Sequence, residues 1–308
     1  MIAFIIGAPR SGTTIVGRCL DLHPDAAHFY EPYYIWDYFS GYGDSDLRTA
    51  ADVSTPARQF IRRSFQRFAA ATGKPLTIDK LPENAYRVDM LDSVFPEAKY
   101  IHLLRDGRDV TLSINKEWRQ RAQTVERRDY RYYFFVLKRV FQLQPYWRFR
   151  LLQIFYELKT SRSVTPHHYL NKSKWQGKVG WGPRFPGWQK AFKRMSLIEF
   201  NALQWVETVR HAQLGIGRLP ASKVINLRYE TFIRNPIDEL KRLFTFLGYD
   251  ASTEYINSLP KILANNTSKW AQAFSADEIR KMGPVLSPML VELGYEMNHN
   301  WYQQTHYS

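Results

Sequence analysis

Two hydrophobic patterns alternate along the chain. Short, continuous apolar runs occur at Ile2–Ile6, Leu76–Ile78, Tyr100–Leu104 and Val224–Leu227, and runs of this length bounded by turn residues read as strands buried on both faces. Between them apolar residues recur at helical spacing, which predicts helices over Thr13–Leu22, Pro56–Ala71, Ala85–Phe95, Val110–Trp118, Leu197–Gln213 and Glu230–Leu247. The stretch "HFYEPYY", His28 to Tyr34, falls where a further strand should end beside the first. Strands alternating with helices predict an α/β protein with a central, mainly parallel sheet flanked by helices on both faces. There is no internal repeat or low-complexity tract.

One region breaks the alternation. From Arg119 to Trp188 the chain is crowded with Arg, Lys and aromatic residues, as in "RRDYRYYFFVLKRVFQLQPYWRFRLLQIFYELK". It reads as a largely helical basic-aromatic insertion. Three roles fit it: a helical pair that packs its aromatic side on the core, a cap over the acceptor, or a patch for peripheral membrane contact. The run "KVGWGPRFPGW", Lys178 to Trp188, carries too much Gly and Pro for regular structure and predicts an ordered loop that either borders a cleft or is tethered by packing.

Composition narrows the function classes. A chain of 308 residues, 44% hydrophobic, has enough apolar material for one large α/β domain or two small ones. The formal net charge of +14 favours anionic ligands: nucleotides, nucleic acid, acidic glycans or an anionic surface. The single cysteine, Cys19, lies in the helix predicted after the first strand, cannot form an internal disulfide and reads as a small buried residue. Met1–Ile6 is too short for a signal segment, and no run is long enough to span a bilayer. The chain is therefore expected to be soluble and cytoplasmic, which leaves the sequons at Asn171, Asn265 and Asn266 without consequence.

The first strand leads into "GAPRSGTT", Gly7 to Thr14. Its glycines let backbone N–H groups approach an anion, and the helix that follows directs the positive end of its dipole to the same point. Thr13 and Thr14 add hydroxyls and Arg10 a cation. A phosphoryl-transferring P-loop would carry Lys where Thr13 stands, so γ-phosphoryl transfer is disfavoured, although a P-loop phosphotransferase is the alternative enzyme reading. The second motif is "KYIHLLRDGRDVTLSINKEW", Lys99 to Trp118. Here a strand ends in Arg105, and Ser113 follows eight residues later on a helix, so two turns bring its hydroxyl back to the strand end and both groups can grip one phosphate. A plain strand–turn–helix with solvated charges would account for Arg108 and Asp109, but not for the pairing of this unit with the first loop. A basic nucleic-acid binder would account for the charge but not for two paired anion motifs.

At these two stretches the chain resembles the sulfotransferases that use 3′-phosphoadenosine 5′-phosphosulfate (PAPS), and the motifs are similar to those of the tyrosylprotein, carbohydrate and bacterial members. The resemblance implies a P-loop NTPase-like sulfotransferase fold in a single domain, 1–308, with the insertion on the acceptor side. It implies that the loop Arg10, Ser11, Gly12, Thr13 and Thr14 cradles the 5′-phosphosulfate, and that Arg105 and Ser113 hold the 3′-phosphate. "LRYETFIRNPIDELKRLFTFLGY" is similar to the family's later strand–helix unit, whose tyrosine, here Tyr229, lies near the adenine. "NNTSKW" resembles the loop that closes over the nucleotide, which gives roles to Lys269 and Trp270; the glycine of many relatives is missing there.

Transfer needs a base for the acceptor hydroxyl and a cation for the leaving oxygen. Glu31 matches the family's glutamate base and Lys80 in "TIDKLPEN" its lysine, with Arg10 as a third catalytic group. His28 is the competing base, since small-molecule sulfotransferases use histidine. Outside catalysis, Glu31 would pair with Arg10, and Lys80 with Asp79 or Glu83. PAPS is the implied donor and 3′,5′-bisphosphoadenosine (PAP) the product, with no metal. The expected partner is a hydroxyl-bearing acceptor (glycan, peptide tyrosine, lipid or small molecule), for which the net charge would suit an anionic one, rather than nucleic acid.

Overall fold

The computed structural model describes residues 1–36, 43–127, 181–260 and 267–303. Five strands, β1 Ile2–Ile6, β2 Ala26–Tyr30, β3 Leu76–Lys80, β4 Lys99–Leu104 and β5 Val224–Arg228, form one sheet in the order β2-β3-β1-β4-β5. Every neighbouring pair is parallel. All strands therefore end on the same edge, with β1 central, β3 on one side of it and β4 on the other.

The helices are α1 Thr13–Asp21, α2 Tyr33–Trp36, α3 Thr55–Thr72, α4 Val88–Val94, α5 Gly107–Arg127, α6 Trp188–Arg194, α7 Leu197–Ile216, α8 Tyr229–Arg234, α9 Pro236–Leu247, α10 Thr253–Ser258, α11 Trp270–Ala273 and α12 Ala276–Glu292. Their ends follow local chemistry. Ser54 caps α3 by accepting from Ala57 N, and Gly73 ends it with φ 68°; Ser196 with Glu199 and Ser275 with Glu278 close capping boxes on α7 and α12. The helix expected over Glu230–Leu247 is two helices, because Pro236 removes a donor and disfavours helical backbone at Asn235 (φ −129°, ψ 59°). The helix expected from Ala85 begins only at Val88, after a 3-10 turn over Pro82–Tyr86.

Successive strand residues point to opposite faces, and the two cores follow that alternation. Phe4, Ile6, Phe29 and Tyr100 pack with Phe65 of α3 and Trp205 of α7, while Ala3, Ile5, Ile78 and Leu103 pack with Val16 of α1 and Phe244 of α9. Burial on both sides explains the continuous apolar runs. No helix among the described residues is long and apolar enough to cross a membrane.

The expected insertion is described only at its ends. Residues 119–127 continue α5. Within 181–188, Trp188 is buried with its Nε1 donating to Asp44 O at 2.8 Å, and Arg184, 1% exposed, pairs with Asp46 at 3.0 Å. That loop is tethered by packing. Residues 128–180, with His167 and His168, lie outside the described residues.

The crossing of α5 and α7 is set by Gly107, where an added Cβ would stand 2.5 Å from the ring of Trp205, itself fully buried. Gly107→Ala should therefore cost about 1–3 kcal/mol by overpacking. Urea denaturation should show a lower midpoint at unchanged slope, and an unshifted midpoint would contradict this packing.

Candidate active site at the carboxyl edge of the sheet

The glycine loop leaves β1 at the middle of this edge. Gly7 lies so close to β4 that a Cβ there would stand 2.7 Å from the Leu103 carbonyl. The loop tightens on itself, with Ser11 Oγ donating to Ala8 O at 2.5 Å, and Arg10 adopts φ 67°. Gly12, at φ 98°, precedes α1, and its backbone is pressed onto Tyr229: a Cβ would fall 2.3 Å from that ring. Only glycine supplies both the left-handed backbone and the clearance. Ser11 and Thr13 are buried and Thr14 partly so, at the positive end of the α1 dipole.

On the β4 side the two motifs meet. Arg105 Nη1 donates to the carbonyl of Arg10 at 3.0 Å, and Arg10 Nε donates to Ser113 Oγ at 2.9 Å. The Arg10 guanidinium also lies 3.5 Å from Glu117. Arg105 stands over the Tyr229 ring, 4.3 Å from its centroid, so Tyr229 packs against both the loop and this arginine. The two-turn spacing thus brings Arg105 and Ser113 to one place, with Arg10 between them.

Arg108 and Asp109 are not solvated charges: they are buried, at 6% and 3% exposure. Arg108 pairs with Asp106 at 2.7 Å and with Glu296, and its guanidinium lies 4.3 Å from the Trp270 ring centroid and 5.1 Å from that of Trp301. Asp109 accepts from Ser268 N at 2.7 Å and Trp270 N at 3.1 Å and lies 3.8 Å from Arg105. Burial raises its pKa, while Arg105 and the two amides act in the opposite direction. Trp270 is buried and Lys269 exposed. The available signal for Asp109 was its position one helical turn after Arg105. None marked Ser268, which holds φ 57°.

On the other side of β1, Lys80 ends β3 in register with Ile5 of β1 and Tyr30 of β2. Its ammonium donates to Glu31 Oε1 at 2.7 Å, and both side chains are largely buried. Glu31 itself has φ 46°, and its carbonyl accepts from Tyr33 N as α2 begins. Glu31 therefore pairs with Lys80 rather than Arg10, and Lys80 with Glu31 rather than Asp79 or Glu83. Asp79 faces the opposite side of the sheet, where Trp36 Nε1 donates to it at 2.7 Å and burial lifts its pKa to about 7. His28 is enclosed, with its Cε1 2.7 Å from where a Cβ on Gly17 would be. Burial, with the Lys80 charge, pushes its pKa down to about 3, so it is neutral at physiological pH.

The arrangement offers one compact anion-binding cluster and one acid–base pair on opposite sides of a phosphate-type loop. Among the described residues no cluster of three or more His, Cys, Asp or Glu is placed to hold a metal ion.

A family model described as the sulfotransferase family matches residues 3–158. Nodulation protein NoeE of Sinorhizobium fredii is 32% identical over 133 residues, which cover 38% of this chain and 32% of that protein, so the match spans about a third of that relative's length. Protein-tyrosine sulfotransferase 1 of Danio rerio is 24% identical over 317 aligned residues, covering 97% of this chain and 73% of that protein. Among solved structures, the sulfotransferase domain from the curacin biosynthetic pathway shares the fold, with a TM-score of 0.55 at 14% identity over 96% of this chain and 98% of that one. With just over half of its length matched by the family model, the chain belongs to the sulfotransferase family.

Proposed function

We propose that the protein transfers a sulfuryl group from PAPS to an acceptor hydroxyl, with Glu31 as general base and Lys80 as the cation at the leaving oxygen. The observation that carries this is the joining of the two motifs: Arg105 and Ser113 both bond to Arg10 of the loop, so one cluster of donors can take a phosphate beside a loop built to take another. A donor with a phosphate at each end of its ribose fits that pair of subsites. When bound, it supplies the activated sulfuryl group and a phosphate leaving group.

The chain's own residues do the rest. The loop amides and Thr13 and Thr14 hold the 5′ end, and Arg105, Ser113 and Arg10 hold the 3′-phosphate through charge-assisted bonds. Tyr229 supports Arg105 from behind, Trp270 is buried against the neighbouring Arg108, and Lys269 is the exposed cation of the closing loop. Glu31 takes the acceptor proton as the acceptor oxygen bonds to sulfur and the sulfur–oxygen bond to the nucleotide breaks. Lys80 neutralises the oxygen that leaves. Because Lys80 is bonded to Glu31, turning the ammonium toward the leaving oxygen frees the carboxylate to act as a base. Family membership and Thr13 in the lysine position both weigh against phosphoryl transfer.

The acceptor is an open class: a glycan, a peptide tyrosine, or a lipid or small-molecule hydroxyl. Residues 128–180 carry eleven Lys and Arg against two Asp and Glu, nine of the fourteen net charges, which suits an acceptor-side cap for an anionic acceptor.

Four outcomes test these roles. PAP should raise the melting temperature well above the shift given by AMP, which lacks the 3′-phosphate; equal shifts would remove the donor assignment. Glu31→Gln should lower turnover by roughly two to four orders of magnitude with PAP affinity retained. His28→Gln should leave turnover within a few-fold of wild type. It should also change acid stability: a folded pKa of about 3 against an ordinary 6.5 means that the folded state binds fewer protons in that interval. Wild type should therefore lose stability relative to His28→Gln as pH falls from 6.5 toward 3. A dead His28→Gln beside an active Glu31→Gln would move the base to His28. Lastly, reversing Arg131, Arg139 and Arg148 to Glu should raise KM for an anionic acceptor, most at low salt, with PAP binding unchanged. Reversing Arg280 and Lys281 on α12 is the control; an equal rise there would reduce the effect to bulk charge.

A further inference from the structure

Asp109 ties together parts of the chain that the anion cluster alone does not connect. Its carboxylate, 2% exposed, sits on the first turn of α5 and lies 3.8 Å from Arg105 on one side. On the other it accepts the amides of Ser268 and Trp270 at 2.7 and 3.1 Å, and so acts as the cap of α11 from a different helix. The segment it holds is not relaxed. Ser268 has φ 57°, a conformation that a residue with a side chain keeps only when its surroundings impose it. Asp109 supplies the bonds that impose it there, and the packing of Trp270 against Arg108 and Trp301 adds to them. The exposed Lys269 lies between the two anchored amides.

One carboxylate thus faces the arginine assigned to the 3′-phosphate and also holds the segment that carries the exposed Lys269. A group that orders both can transmit occupancy of one to the other, and such coupling is reciprocal. We propose that Asp109 is a positioning residue that couples 3′-phosphate binding at Arg105 to the anchoring of residues 267–270, so that the segment is held more firmly in response to the 3′-phosphate rather than to the adenosine. This rests on the PAPS reading above. It accounts for an acidic group buried beside an anion site, where charge alone would make it unfavourable: Asp109 competes weakly for Arg105 but orients it, and its stronger bonds go to the segment.

The test compares PAP with AMP. In wild type, PAP but not AMP should slow hydrogen exchange at the amides of residues 267–270. Asp109→Asn keeps the shape but removes the charge, and should raise the PAP dissociation constant about tenfold while AMP binding changes less than about twofold. Loss of the exchange difference should accompany it. A merely structural Asp109 would weaken both nucleotides alike or neither, so an unchanged PAP-to-AMP ratio in Asp109→Asn overturns the coupling. Equal slowing of exchange by PAP and AMP in wild type overturns it too, even if the variant does not fold. If wild type shows no preference for PAP over AMP, the donor reading itself fails, and that result is distinct from a wild-type preference which Asp109→Asn retains.

Discussion

The contact of Tyr229 with both Gly12 and Arg105 is the constraint on which the rest of the site depends. The ring fills the space a side chain at residue 12 would need, and the Arg105 guanidinium lies 4.3 Å from its centroid. A buried cation over an aromatic face is worth on the order of 2 kcal/mol and fixes the plane of the guanidinium. Because Tyr229 follows β5 directly, the outermost strand sets the position of an arginine on β4 and of a loop on β1. The loop conformation, the arginine and the sheet edge are therefore one packing unit. Moving any of them requires moving the others.

From that unit the two sides of β1 diverge. Toward β4 the site gathers cations, Arg10 and Arg105, around one hydroxyl, and sets acids behind or beside them. Such a surface suits a multiply charged anion, the binding role proposed for it. Toward β3 the site pairs one cation with one carboxylate at 2.7 Å in largely buried surroundings. Neither charge of that pair is available until the other is given something else to bind, which suits a reacting centre better than a binding one. Placing the arginine cluster on one side of the loop and the Lys80–Glu31 pair on the other is what a parallel sheet with β1 at its centre permits.

What the sequence made legible was local. The β1 run, the glycine loop and the two-turn spacing of Arg105 and Ser113 can each be read within twenty residues, because strand burial and helical period decide them. The burial of Arg108 and Asp109 is not legible locally, because it is decided by Trp270, Glu296 and Trp301, more than 150 residues away in the chain. The Lys80–Glu31 pair was legible as two candidate residues but not as a pair, since only the register of β2 on β3 brings Tyr30 beside Lys80. The apolar period over Glu230–Leu247 runs through Pro236 unbroken, and it is the Asn-Pro step that divides the segment into two helices.

The same register decides which charge stands at the end of β3, next to the strand that carries the loop. Lys80 stands level with Ile5, two residues before Gly7, so the end of β3 places a cation on the strand next to the loop, where it is bonded to Glu31. Its face is fixed by the pleat: Lys80 shares the α1 side with His28 and Ile5, and Asp79 is turned to the other core, where Trp36 and Asn84 hold it. A slip of β3 by one residue would exchange them, putting a carboxylate beside the loop and burying the ammonium under α3. The hydrophobic alternation that seats Ile78 and Leu76 in the second core prevents that slip. The charge that faces the loop is thus decided by apolar residues that never touch it.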